Sequence, residues 1–137
     1  LLTLPAEAKG NWGAMNGQQM VEHFTDAILV AAGKITVPLL TPENSLPKMR
    51  EFLFSDAPFQ ENIKNPLMSE EPAAFRQPDM STAVSELKRA LDAFVAAFQE
   101  DSSKEIINPF FGPLDYNGQV QLLHKHALHH LKQFGLV

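Results

Sequence analysis

Residues 115–135, DYNGQVQLLHKHALHHLKQFG, decide how this chain is read. Asp115 is suited to cap a helix and Gly135 to end one, while Val120, Leu123, Ala127, Leu131 and Phe134 recur at three- and four-residue spacings between them. The stretch therefore predicts a last helix, from Asp115 to Phe134, with an apolar seam. It also carries His124, His126, His129 and His130, four of the chain's 5 histidines; His23 stands far upstream.

Within this helix only His126 and His130 are spaced i,i+4, which puts their β-carbons about 5–6 Å apart on one face. At 100° per residue His130 falls near the direction of Leu123 and His126 at the border of the same seam, so both can look inward. His124 and His129 fall on opposite flanks. A third imidazole must come from another helix, and His23 is the remaining histidine. The candidate site is His23, His126 and His130, with metal as the chemistry, because neutral imidazoles are good ligands for zinc and similar transition metals. Three such ligands leave a fourth position for water or a substrate thiolate. The plainer reading of the same residues is hydrogen-bonded packing, with the His- and Lys-rich last turn complementing the helix dipole.

Working outward, Asn16 to Ala32 reads as a first helix. Asn16 is a cap with Gln19 as its partner, Met15 and Met20 are placed as a hydrophobic staple, and Gly33 is a stop. Met20, Phe24, Ala27, Ile28 and Ala31 form its stripe, with His23 beside it. After Pro38, Pro42 and Pro47 a shorter helix fits Lys48 to Phe54, before Pro58. Asn65 to Pro78 reads as a loop crossing between helices. Ser81 to Gln99 is the clearest helix, with Val84, Leu87, Leu91, Phe94, Val95 and Phe98 as its apolar face. Asn108-Pro109-Phe110-Phe111-Gly112-Pro113 then breaks the pattern. With four helical segments, two long connections and no period-two strand, the expected fold is all-α: a four-helix bundle with long crossover connections, one domain over 1–137.

Composition narrows the partners. A 137-residue chain that is 45% apolar can build one core. A net charge of -5 with no Lys/Arg run lacks the basic stripe that nucleic acid requires, so no nucleic acid is expected. Ala27 to Ala32 is far shorter than the roughly 20 apolar residues of a membrane span, and no membrane is expected either. With no cysteine there is no disulfide, thiolate ligand or cysteine nucleophile, so a thiol would have to come from a cosubstrate. The expected compartment is the cytoplasm. No phosphate-binding glycine loop, HExxH or GxSxG motif occurs, which leaves metal chemistry as the enzymatic lead.

Other residues are weaker candidates. Gln19 and Asp26, one turn either side of His23, could orient its imidazole, and Gln133 could do so for His130; surface roles compete with each. Phe110 and Phe111 read as a lid or, more often for such residues, as a core plug, and Trp12 as a core anchor.

Two segments, Trp12-Gly13-Ala14-Met15-Asn16-Gly17-Gln18-Gln19-Met20-Val21-Glu22-His23 and Phe111-Gly112-Pro113-Leu114 through Gly135, resemble the DinB/YfiT-like superfamily of four-helix bundles, and within it a branch of short bacterial proteins. The second carries the family-like H-x-x-x-H-x-x-Q pattern, in His126, His130 and Gln133. The matches cover about a quarter of the chain. The resemblance implies a divalent metal, nickel or zinc, on His23, His126 and His130, and a thiol-dependent transfer or isomerisation like that of characterised members.

The leading expectation is thus a metal-dependent transferase or hydrolase acting on a small molecule, with a low-molecular-weight thiol or water activated at the three-histidine site, in a homodimer. The competing expectation is a non-catalytic helical module for dimerisation or docking, appended to a phenylacetate-degradation enzyme. The second expectation fits a chain that opens on Leu1 rather than on methionine.

Overall fold

Asn16 begins the first helix as its sequence predicts: its side chain accepts from the Gln19 amide at 3.0 Å, and its own amide donates to Gln19 Oε1 at 2.9 Å. In the computed structural model, which describes residues 3–61 and 72–137, this helix (α1) spans Gly17–Ala31, and Gly33 closes it at φ 76°. A 3-10 turn at Glu43–Ser45 leads into α2, Leu46–Leu53, with Pro47 in its first turn, where no amide is needed. The expected connection at 65–78 lies outside the described residues over 65–71; its remainder, 72–78, is irregular. Asp79 caps α3, Met80–Glu100, by accepting from Thr82 N at 2.8 Å. Asp115 does the same for α4, Tyr116–Gln133, through Gly118 N at 2.9 Å.

The fold is predominantly helical and consistent with a four-helix bundle. Helix α1 packs most extensively on α3 and also meets α4, while α2 lies on α4. Met20, Val21 and Ile28 of α1 join Ala83, Leu87, Ala90, Phe94 and Phe98 of α3 and Leu123 of α4 in the main core. A smaller cluster of Leu53, Phe111, Leu114 and Leu122 holds α2 and the preceding loop against α4.

Two expectations need correction. The helices are joined by a strand pair where none was expected: Ile106–Asn108 (β1) and Gly112–Leu114 (β2) form a small antiparallel hairpin in which Ile106 faces Leu114 and Asn108 faces Gly112. Asn108 Oδ1 accepts from Phe110 N at 2.9 Å and Phe111 N at 3.1 Å, and Gly112 adopts φ 76°, so an Asx turn folds the segment that sequence presents only as a helix breaker. Phe111 is buried there and plugs the smaller core.

The apolar faces are also rotated. Leu91, Val95 and Val120 are exposed, at 39%, 40% and 41%. The buried side of α3 instead carries Ala83, Ala90 and Ala97 among larger residues, and such small side chains let α1 approach closely. On α4 the buried set includes Gln119, Lys125, His130 and Gln133, so its inward face is largely polar.

Candidate metal centre

The rotation of α4 that buries these polar residues also turns His126 and His130 toward α1. His23 Nε2 lies 3.3 Å from His126 Nε2, and His126 Nε2 lies 2.7 Å from His130 Nε2. Nitrogens from all three rings fall within 4.8 Å of one another. Ligands about 2.0–2.1 Å from a tetrahedral ion stand about 3.3 Å apart, so small side-chain adjustments accommodate one. The chain thus has a three-histidine cluster capable of coordinating a divalent metal, assembled from the first and last helices.

Its protonation is set from outside the cluster. Gln133 Nε2 donates to the carbonyl oxygen of Trp12 at 2.9 Å, and a carbonyl can only accept, which fixes the amide's orientation. Gln133 Oε1 therefore faces His130 Nδ1, at 2.8 Å, and accepts its proton. The Nε2 of His130 is left with a free lone pair pointing into the cluster. The 2.7 Å contact is then met by His126 donating from Nε2.

Gln133 is itself clamped. Asn11 N donates to the Gln133 carbonyl, and the 10–13 loop wraps the end of α4 so closely that a β-carbon at Gly13 would lie 2.9 Å from Gln133 Nε2. Gly13 also adopts φ 78°, a second reason for glycine.

Burial keeps the cluster neutral. Desolvation pushes His130 down to about 4 from the ordinary 6.5, opposed by its hydrogen bond to Gln133 and assisted by His23 and His129. His126 is held well below its ordinary value by burial first and then by His130, His23 and His129. His23 is lowered by burial, against the pull of Asp26. Phe24 meets His126 edge-on with centroids 5.1 Å apart, and Phe59 also meets it edge-on, at 6.0 Å.

The supporting residues fall unevenly against expectation. Gln133 orients His130, but Gln19 and Asp26 do not orient His23. Gln19 serves the cap and donates to Ala73 O, and Asp26 pairs with Arg76 at 2.9 Å. Arg76 also reaches Glu22, a buried carboxylate that accepts from the Arg76 amide at 2.7 Å and from Gln18 Nε2 at 3.2 Å. This network ties the segment before α3 to the turn of α1 that carries His23. Its only sequence trace is the i,i+4 pair Gln18 and Glu22.

His129, without assigned chemistry in the sequence reading, packs edge-on against Trp12 at 5.5 Å and His130 at 5.2 Å. Trp12 is half-buried on this wall rather than in the core. His124 is exposed. Sequence reasoning also missed Lys125, buried beside the cluster, because a lysine between two histidines signals nothing by itself.

Among the described residues no helix is long and apolar enough to cross a membrane. Comparison of the chain with family models, with characterised proteins and with solved structures finds no match.

Proposed function

We propose that this protein binds a divalent metal ion through Nε2 of His23, His126 and His130 and uses it for catalysis on a small molecule. The observation that carries the reading is the convergence of three imidazoles, His130 buried and His23 and His126 half-buried, one with its lone pair preset by Gln133. Packing alone requires no such arrangement. A hydrogen bond accounts for the contact of His126 with His130, but the single Nε2 proton of His126 does not also account for the His23 nitrogen 3.3 Å from the same atom.

An ion bound there supplies Lewis acidity toward a thiol cosubstrate or water, for group transfer or hydrolysis. The chain's own part is to hold the donors. Gln133 keeps the proton of His130 on Nδ1, burial keeps the imidazoles uncharged, and Phe24 and Phe59 exclude water from the flanks of His126. Three protein ligands leave room for a fourth, the arrangement of catalytic rather than structural zinc sites. Zinc and nickel both suit an all-imidazole set. The resemblance to DinB/YfiT-like proteins agrees with this ligand set and is the reason to favour a thiol.

Equilibrium dialysis of chelator-treated protein against zinc and nickel tests the proposal. One ion per chain is expected, with the stoichiometry lost in His126→Ala. Absence of stoichiometric binding, or an unchanged affinity in that variant, overturns it.

A further inference from the structure

Beyond the imidazole cluster lies a cavity of ≈ 560 Å³, lined by Trp12, Phe59, Lys125, Leu128, His129 and Lys132 among others. Phe59 and His129 line it and also touch the cluster: Phe59 meets His126 and His129 meets His130. These two rings form the partition between cavity and cluster. The volume falls in the range of about 300–1,000 Å³ that holds small ligands.

The cavity combines an apolar wall with a buried cation. Trp12, Phe59 and Leu128 supply the apolar surface. Lys125 is only 7% exposed, and its Nζ lies 4.6 Å from the centre of the Phe52 ring. It donates to Ser55 O at 3.0 Å and to Ala57 O. An ammonium has three N–H groups, so these carbonyls leave one.

Among the described residues the ion pairs are Arg76 with Glu22 and Asp26, and Arg89 with Glu86, and none includes Lys125. Asp56 and Glu61 also line the cavity, but both are exposed, where water and salt screen them. A buried cation without a carboxylate is costly, and a bound anion offsets that cost. Lys132 also lines the cavity but is exposed and screened like the two carboxylates, so the buried contact is with Lys125 alone and a dianion fits less well. One free N–H satisfies a single oxyanion contact, and the carbonyl end of α4, at His129 to Gln133, forms part of the same wall.

We propose that this cavity binds a small monocarboxylate with an apolar, ring-sized body, the carboxylate on Lys125 and the body against Trp12, Phe59 and Leu128. The proposal goes beyond the metal reading and does not depend on it, because the partition separates the two sites.

Trp12 is the only tryptophan, so its fluorescence reports occupancy directly. The full chain is titrated with benzoate, with its uncharged isostere benzamide and with inorganic phosphate, each in the presence and absence of chelator. Benzoate is expected to give a saturable change, benzamide to bind at least tenfold more weakly (about 1.4 kcal/mol), and phosphate to give none. Lys125→Met should weaken benzoate by about the same factor. Because this variant also releases Ser55 and Ala57, Leu128→Glu, at a position 36% exposed, provides a second arm: it sets a carboxylate in the cavity and should exclude benzoate without loss of helicity.

Equal binding of benzamide, tighter binding of phosphate, or parental affinity in Leu128→Glu would overturn the proposal. Failure of benzoate with and without chelator does so while leaving the metal site untouched. Failure of the chain to bind metal leaves the carboxylate site standing.

Discussion

His130 and Gln133 share a proton path with a fixed direction: the glutamine amide is oriented by the Trp12 carbonyl, so the imidazole must donate from Nδ1 and present Nε2 to the cluster. Gln133→Leu removes both bonds and frees the tautomer. Metal affinity should fall about 10–100-fold. Gln133→Glu keeps an acceptor for Nδ1 but loses the donor to Trp12, so it should retain most of the affinity while lowering Tm. Competition with a chromophoric chelator and a thermal melt separate the two effects. Equal affinity in Gln133→Leu and the parent contradicts the orienting role.

Replacing His126 with alanine tests the cluster from its centre, since that ring meets both partners. Cobalt is expected to give the parent a visible ligand-field spectrum that His126→Ala lacks. The metal-free variant should remain folded, because what it deletes is a crowded imidazole rather than an aliphatic core residue. Unchanged cobalt spectra would exclude His126 as a ligand.

Acid should affect metal binding later than it does for exposed imidazoles. All three rings titrate below 6.5 in the folded chain, His130 at about 4, so protons compete weakly for the ligand nitrogens at pH 6. Affinity should therefore change little between about pH 7 and pH 5.5 and drop below that. Sequence alone places the drop near the ordinary imidazole value of about 6.5. A steep loss already between pH 7 and pH 6 would show that burial does not protect these rings.

The same shift makes metal-free stability depend on pH in a defined direction. Between the ordinary value of 6.5 and about 4 the unfolded chain binds a proton at His130 that the folded chain does not. Stability is thus fully present above 6.5 and is lost as pH falls toward 4. Urea midpoints in chelator should decline over this window. In His130→Phe the decline should be shallower.

Glu22 and Arg76 give a fifth test. Arg76→Ala removes a half-exposed side chain and leaves the backbone amide on Glu22, so its cost should be about 1 kcal/mol. Glu22→Ala removes the acceptor for that amide and for the buried Gln18, at about 2 kcal/mol. The reverse order in denaturant unfolding would mean that the guanidinium, not the carboxylate, organises this segment.

Helix positions and the three histidines were legible in the sequence because each rests on a local signal. Asn16 with Gln19 marks one start, Asp115 another, and the i,i+4 spacing of His126 and His130 survives any rotation of α4. The start of α3 falls one residue earlier than its sequence predicts, at Met80, because its cap is Asp79, directly after Pro78 and just upstream of the apolar repeat. Strands of three residues around an Asn108 turn are too short to display a period of two. Leu91, Val95 and Val120 were placed inward by hydrophobicity, but helix rotation is decided by the partner. Alanines on α3 admit α1, and Gln119, Lys125 and Gln133 find backbone carbonyls at Ile106, Ser55 and Trp12. Such long-range acceptors have no sequence signature.

The two helices that supply the three imidazoles also restrict how the bundle can align. A slide of α4 by one turn, about 5.4 Å, would bring Leu122 to the place of His126, or Phe134 to that of His130. Either slip exchanges an aliphatic or benzene ring for a ligand, and it also sets Gly118 or His126 in the place of the buried Leu122. Occupancy of the cluster therefore serves as a vernier. A captured ion would favour one alignment of first and last helix, adding to the choice that Gln119, Lys125 and Gln133 make through their backbone acceptors.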